Sequence, residues 1–100
     1  MENMKNELKT IGLHYGFEAQ SQMFIEEMSE LTKALCKYNR TDNLLEKHNL
    51  WDDIEEELAD VLVLAGQFLE IWADKDNVDA IVKAKVERQL KRIYEEEKNE

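Results

Sequence analysis

A chain of 100 residues that is 43% hydrophobic and 36% charged, with three glycines and no proline, is expected to form one helical domain with few turns. Its formal net charge of −10 argues against a nucleic-acid partner, because displacing phosphate counterions needs a basic surface. The charged N-terminus MENMKNELK and the absence of an apolar run of membrane length point to a cytoplasmic protein with no membrane partner, and Cys36 as the sole cysteine excludes an internal disulfide.

The first helix is expected over Asn3 to Tyr15, with Leu8, Ile11 and Tyr15 on one face and Gly16 as a left-handed terminator. A second runs from about Glu18 to Tyr38, where Phe24, Met28, Leu31, Leu35 and Tyr38 recur at steps of three and four as a core stripe. The polar segment Asn39 to Asn49 reads as a loop, in which Asn43 and Glu46 cap a brief helical turn. A third helix follows from Asn49 or Leu50 to about Trp72. Its apolar residues cover much of its circumference, which makes it the central helix, and Gly66 within it suggests close approach by a neighbour. Asp76 or Asn77 is expected to cap a fourth helix over Val78 to Glu97, with Ile81, Val82, Val86, Leu90, Ile93 and Tyr94 inward and the terminal EEEKNE frayed. The fold class is therefore all-α, a four- to five-helix bundle in a single domain over residues 1–100.

A third helix of this length spans about 35 Å at ~1.5 Å per residue, whereas a compact domain of this size has a radius of gyration near ~13 Å. One protomer cannot easily cover it, so an intertwined homodimer, or a larger even assembly such as a homotetramer, is expected.

Two acid pairs stand out on these helices: Glu27 and Glu30 in FIEEMSEL, and Glu57 and Asp60 in EELADVLVLAG. Residues three apart share a helix face, so each pair can present both carboxylates to one point, and an oxygen-only donor set suits Mg²⁺, with Mn²⁺ as a substitute. Asp60 is the only charged residue between Leu58 and Leu69. An ionised group on an apolar helical stretch is costly unless it is paired or metal-bound. The bland alternative is an Asp capped by a Lys or Arg from another helix.

With FIEEMSEL, a loop and EELADVL on successive helices, the chain resembles the MazG-like all-α nucleoside triphosphate pyrophosphohydrolases, whose pattern is EExxE, a variable spacer, then ExxD. Here Glu26, Glu27 and Glu30, a spacer of 26 residues, and Glu57 and Asp60 match it, with YGFEAQSQ upstream and KVERQLKRI downstream extending the likeness over most of the chain. The resemblance implies a helical-bundle dimer or tetramer that binds Mg²⁺ through Glu27, Glu30, Glu57 and Asp60. It also implies hydrolysis between the α and β phosphates of a nucleoside triphosphate, giving a monophosphate and pyrophosphate. Basic residues of the last helix, here Lys85, Arg88 and Arg92, are implied to contact the phosphates.

Such chemistry rests on positioning and charge cancellation. In that scheme Glu30 is the combined ligand and base, with Glu27 beside it, and Glu26 is either outer support or a surface acid. Among residues able to meet a base, Gln20 can read an edge and Trp51 can stack, although aromatic residues at helical spacing are usually core. A di-iron carboxylate bundle is a poor alternative, since neither His14 nor His48 follows a Glu by three residues. The stronger rival is a non-catalytic, oligomeric helical adaptor whose acids pair with Lys and Arg across an interface.

Overall fold

The computed structural model describes residues 2–99 of the chain, which form four α-helices and, among these residues, no strand. A single 3₁₀ turn, Glu2–Met4, leads into α1, Lys5–Tyr15. Gly16 alone separates α1 from α2, Phe17–Arg40. Its φ of 90° and ψ of 164° lie in a region that only glycine enters without strain. Its N–H donates to the Gly12 carbonyl at 2.8 Å while its own carbonyl accepts from Gln20 N–H at 3.0 Å, so one residue ends one helix and starts the next.

The segment expected as a loop is mostly helical. α2 continues to Arg40 and α3 spans Leu44–Gln67, leaving Thr41, Asp42 and Asn43 as the turn. Asn43 does cap, accepting the Glu46 N–H at 2.9 Å, but it opens the long helix itself. Thr41 reinforces the turn by donating its hydroxyl to the Glu46 carboxylate at 3.1 Å and accepting the Asn43 N–H at 3.2 Å. The polar residues of this stretch are helix surface, which is why composition alone mimics a loop.

α2 and α3, of 24 residues each, form an antiparallel hairpin that is the main packing of the molecule. Tyr38 meets Trp51 near the turn, with ring centroids 5.6 Å apart, and Phe24 meets Phe68 at the far end at 5.2 Å. α1 lies across that far end. Leu8, Ala34, Ile54 and Leu64 are the buried apolar residues, a small core shared by the three helices. A close approach sits at Gly12, where an added methyl would run into Ile71 Cδ1 and lie 3.3 Å from Gln67 Oε1 and 3.4 Å from the Trp72 ring. Cys36 is exposed.

The third helix does not reach Trp72 as an α-helix. Residues Phe68–Trp72 form a π-helical turn, closed by the Ala73 N–H donating to the Phe68 carbonyl at 2.8 Å. The wider turn gathers Phe17, Phe68 and Trp72 into one cluster, with centroids 5.0 to 5.6 Å apart. α4, Lys75–Lys98, begins one turn earlier than expected because Asp74 is the cap, accepting the Asn77 N–H at 3.1 Å. It continues to Lys98, so the expected fraying is not seen over the described residues; Glu100 lies outside them.

The expected inward face of α4 is outward in the single chain. Ile81, Val82, Val86, Leu90, Ile93 and Tyr94 are all exposed, no residue of α4 is buried, and the helix packs chiefly on the π turn. The radius of gyration is 17.4 Å, well above the ~13 Å of a compact domain of this length. No described helix is long and apolar enough to cross a membrane.

Candidate metal centre

The antiparallel register of α2 and α3 brings one acid of the first pair against both acids of the second. Glu27 on α2 and Glu57 and Asp60 on α3 place one carboxylate oxygen each within 4.8 Å of one another. Glu27 and Glu57 are half-buried and Asp60 is exposed, so the cluster lines an open groove rather than a sealed interior. The burial expected at Asp60 is thus absent. Its apolar neighbours lie around the other sides of α3, and Asp60 points to the groove.

Among the described residues, no Lys or Arg forms an ion pair with any of the three. The two ion pairs present are Lys33 with Glu30 and Lys75 with Glu70. Loss of water around Glu27, followed by the charges of Asp60 and Glu57, holds its carboxyl above the ordinary value of 4.5. Three like charges in one place with no counter-charge raise the pKa of one member in this way. The donors are all oxygen, and Mg²⁺ is ordinarily held by one or two carboxylates with water and phosphate oxygens completing the octahedron. The set fits such an ion.

Glu30, expected as the fourth ligand, stands outside the three-oxygen group. Its carboxylate accepts from Lys33 Nζ at 3.3 Å, one turn along α2, and the side chain is half exposed. It does share a 250 Å³ cavity with Glu57, and Lys33 and Lys37 line the same space. Glu26 faces elsewhere. It lines a 540 Å³ cavity together with Tyr15 and Gln22, and none of the three clustered acids borders that space.

The basic residues expected at the phosphates are not brought to the acids within one chain. Lys85 and Arg88 line a separate hollow on α4 with Ile81 and Ala84, and Arg92 is exposed one turn further on. Gln20 and Trp51 fall on opposite sides of the cluster. Gln20 bonds Gln67, which is 16 residues beyond Trp51 on α3, a separation of about 24 Å at ~1.5 Å per residue. One base cannot touch both, and Trp51 instead packs on Tyr38, whose ring also carries Lys47 Nζ at 4.3 Å.

Gln67 is the site residue that sequence reasoning missed. It is 1% exposed and borders a second cavity, 230 Å³, that also touches Glu27 and Asp60. The available signal was the one that singled out Asp60: a polar group inside an apolar run, here LAGQFL. Comparison with family models, with curated proteins and with solved structures finds no match for this chain.

Proposed function

We propose that this chain is a Mg²⁺-dependent nucleoside triphosphate pyrophosphohydrolase, cleaving the α–β phosphoanhydride to a nucleoside monophosphate and pyrophosphate. The observation that carries the reading is the Glu27, Glu57 and Asp60 cluster, three convergent carboxylates without a cationic partner among the described residues. These three hold the ion, which when bound cancels phosphate charge and acidifies water. The resemblance of the EExxE and ExxD segments to MazG-like enzymes supplies the substrate class.

The cavity beside Glu57 supports roles for the remaining residues. Lys33 and Lys37, on the same face of α2 one turn apart, offer positive charge to the phosphates from within the chain. Glu30, bordering the same cavity, takes the proton of the attacking water. Lys85, Arg88 and Arg92 reach the phosphates only from the α4 helix of a second copy, as part of a homodimer or homotetramer.

Purified protein incubated with ribo- and deoxyribonucleoside triphosphates and Mg²⁺ should release pyrophosphate and monophosphate, and chelation should stop it. Asp60→Asn should abolish release while keeping the helical circular dichroism signal. No pyrophosphate from any common triphosphate, with either Mg²⁺ or Mn²⁺, would overturn the assignment.

A further inference from the structure

The groove that holds the three acids has a second compartment, and it differs chemically from the one that holds the lysines. The 230 Å³ cavity is bordered by Glu27 and Asp60 at one end and by the Gln20 and Gln67 amides at the other, with Ile11 and Leu64 among its walls. No Lys, Arg or His lines it. Phosphate groups are repelled from such a space, whereas a neutral, planar, partly apolar group is not. Its volume falls below the ~300–1,000 Å³ of pockets for whole drug-sized ligands, so it suits one ring system rather than an entire nucleotide.

The two amides are an unusual feature for a helical core. Gln20 is 7% exposed and Gln67 1%, and Gln20 Nε2 donates to Gln67 Oε1 at 2.8 Å. That is the only side-chain hydrogen bond of either amide among the described residues, although each amide offers two donors and an acceptor. The carbonyl of Gln20 and the NH₂ of Gln67 make no other hydrogen bond to the described residues, and both side chains border the cavity. Exchanging the two ends of both amides would leave the same complement, one acceptor and one NH₂ group. Gly12 makes room for this arrangement, since its Cα lies where a side chain would crowd Gln67 Oε1.

We infer that the Gln20–Gln67 pair, in the cavity adjoining Glu27 and Asp60, is a nucleobase-recognition site that reads a base edge carrying a hydrogen-bond donor next to an acceptor. The inference rests on the proposed hydrolase reading for the rest of the substrate, and it fixes the polarity: base towards α1 and the amides, phosphates towards Lys33 and Lys37, with the acid cluster between. The pair is the specificity-determining element, because an amide left without its partner rejects a ligand that cannot satisfy it.

The test compares wild type with Gln20→Met/Gln67→Met, which replaces both members by apolar side chains of similar length and leaves neither amide orphaned. Met23→Trp is a second variant that fills the same cavity from its mouth without touching the pair. Binding of deoxyadenosine, deoxyguanosine, deoxycytidine, deoxyuridine and thymidine is followed by saturation-transfer NMR, which needs no activity. Pyrophosphate release is followed with the matching triphosphates and with inorganic tripolyphosphate as a base-free substrate. Both variants should weaken binding of the preferred nucleoside on the order of ten- to hundredfold and flatten the preference among triphosphates, leaving tripolyphosphate turnover unchanged. Absence of nucleoside binding by wild type, or binding by both variants as tight as that of wild type, overturns the inference. Pair-dependent nucleoside binding in a protein that releases no pyrophosphate would keep the site and overturn the hydrolase reading. Pyrophosphate release with a base preference that both variants share would do the reverse.

Discussion

Glu27 sits half-buried on α2 against Glu57 and Asp60. Its carboxyl is held above the ordinary 4.5, first by loss of surrounding water and then by Asp60 and Glu57. An acid whose pKa is higher in the folded than in the unfolded chain favours folding while protonated, and that advantage disappears as the pH rises through the folded value. Metal-free protein should therefore lose thermal stability as the pH is raised from 4.5 towards neutrality. Glu27→Gln, which cannot ionise, should flatten that part of the profile and melt higher than wild type at pH 7. Because proton and cation compete for the same oxygen, the stabilisation given by Mg²⁺ should shrink as the pH falls towards 4.5 and should be lost in the variant. Melting curves with and without Mg²⁺ across this range check all three statements, and identical slopes in the two proteins would show that the cluster carries no strain.

At the scale of elements, the π turn and its ion pair decide where α4 goes. Glu70 lies within that turn, its side chain only 12% exposed, and accepts from Lys75 Nζ at 2.7 Å in the first turn of α4. The hydrogen bond from Lys75 lowers the Glu70 carboxyl below its ordinary 4.5, and the same bond raises Lys75 above 10.5. The contribution of Glu70 is thus present above pH 4.5 and lost as the pH falls through its folded value; that of Lys75 is lost only as the pH rises through its own raised value. Glu70→Gln should lower the melting temperature at pH 7, and the gap to wild type should close under acid conditions. A gap that persists in acid would mean the side chain matters for packing rather than for charge. At the other turn, Asn43→Ala removes the acceptor for Glu46 N–H and should cost about 1 kcal/mol by denaturant titration, as loss of a helix cap ordinarily does.

Much of this architecture is readable from residue spacing, and each exception has its own physical cause. The helices over α1 and α2, and most of α3, follow from apolar steps of three and four, and the meeting of Glu27, Glu57 and Asp60 follows from two pairs at spacing three on adjacent helices. The polar tract after Tyr38 misleads because an exposed helix surface has the composition of a loop. Glu30 departs from the cluster because Lys33 offers it a nearer partner one turn on, a competition that spacing shows but does not rank. The direction of α4 is invisible to periodicity, since it depends on one extra residue in the turn at Phe68–Trp72.

At the scale of the whole molecule, the single chain is more open than a compact domain of its length. A compact monomer of 11.8 kDa exposes about 5,900 Å² by the usual scaling, and this chain exposes 8064 Å². The excess, on the order of 2,000 Å² per chain, matches what an obligate pair buries. The surface that supplies it includes the stripe of Val82, Val86, Leu90 and Ile93 on α4, a helix with no buried residue of its own. Beyond its contact with the π turn α4 packs on little else in its own chain, whereas most helical stability in proteins comes from packing an apolar face. Light scattering at micromolar concentration should therefore give a dimer or tetramer, and Val86→Glu/Leu90→Glu should reduce the mass and the helical signal together. If Lys85 and Arg88, which line a separate hollow on α4, meet the phosphates from a second copy as proposed, pyrophosphate release should fall as well. A monomeric wild type would assign the apolar stripe to a different partner and favour the adaptor reading. A dissociated variant that keeps full activity would leave Lys33 and Lys37 as the sufficient phosphate contacts.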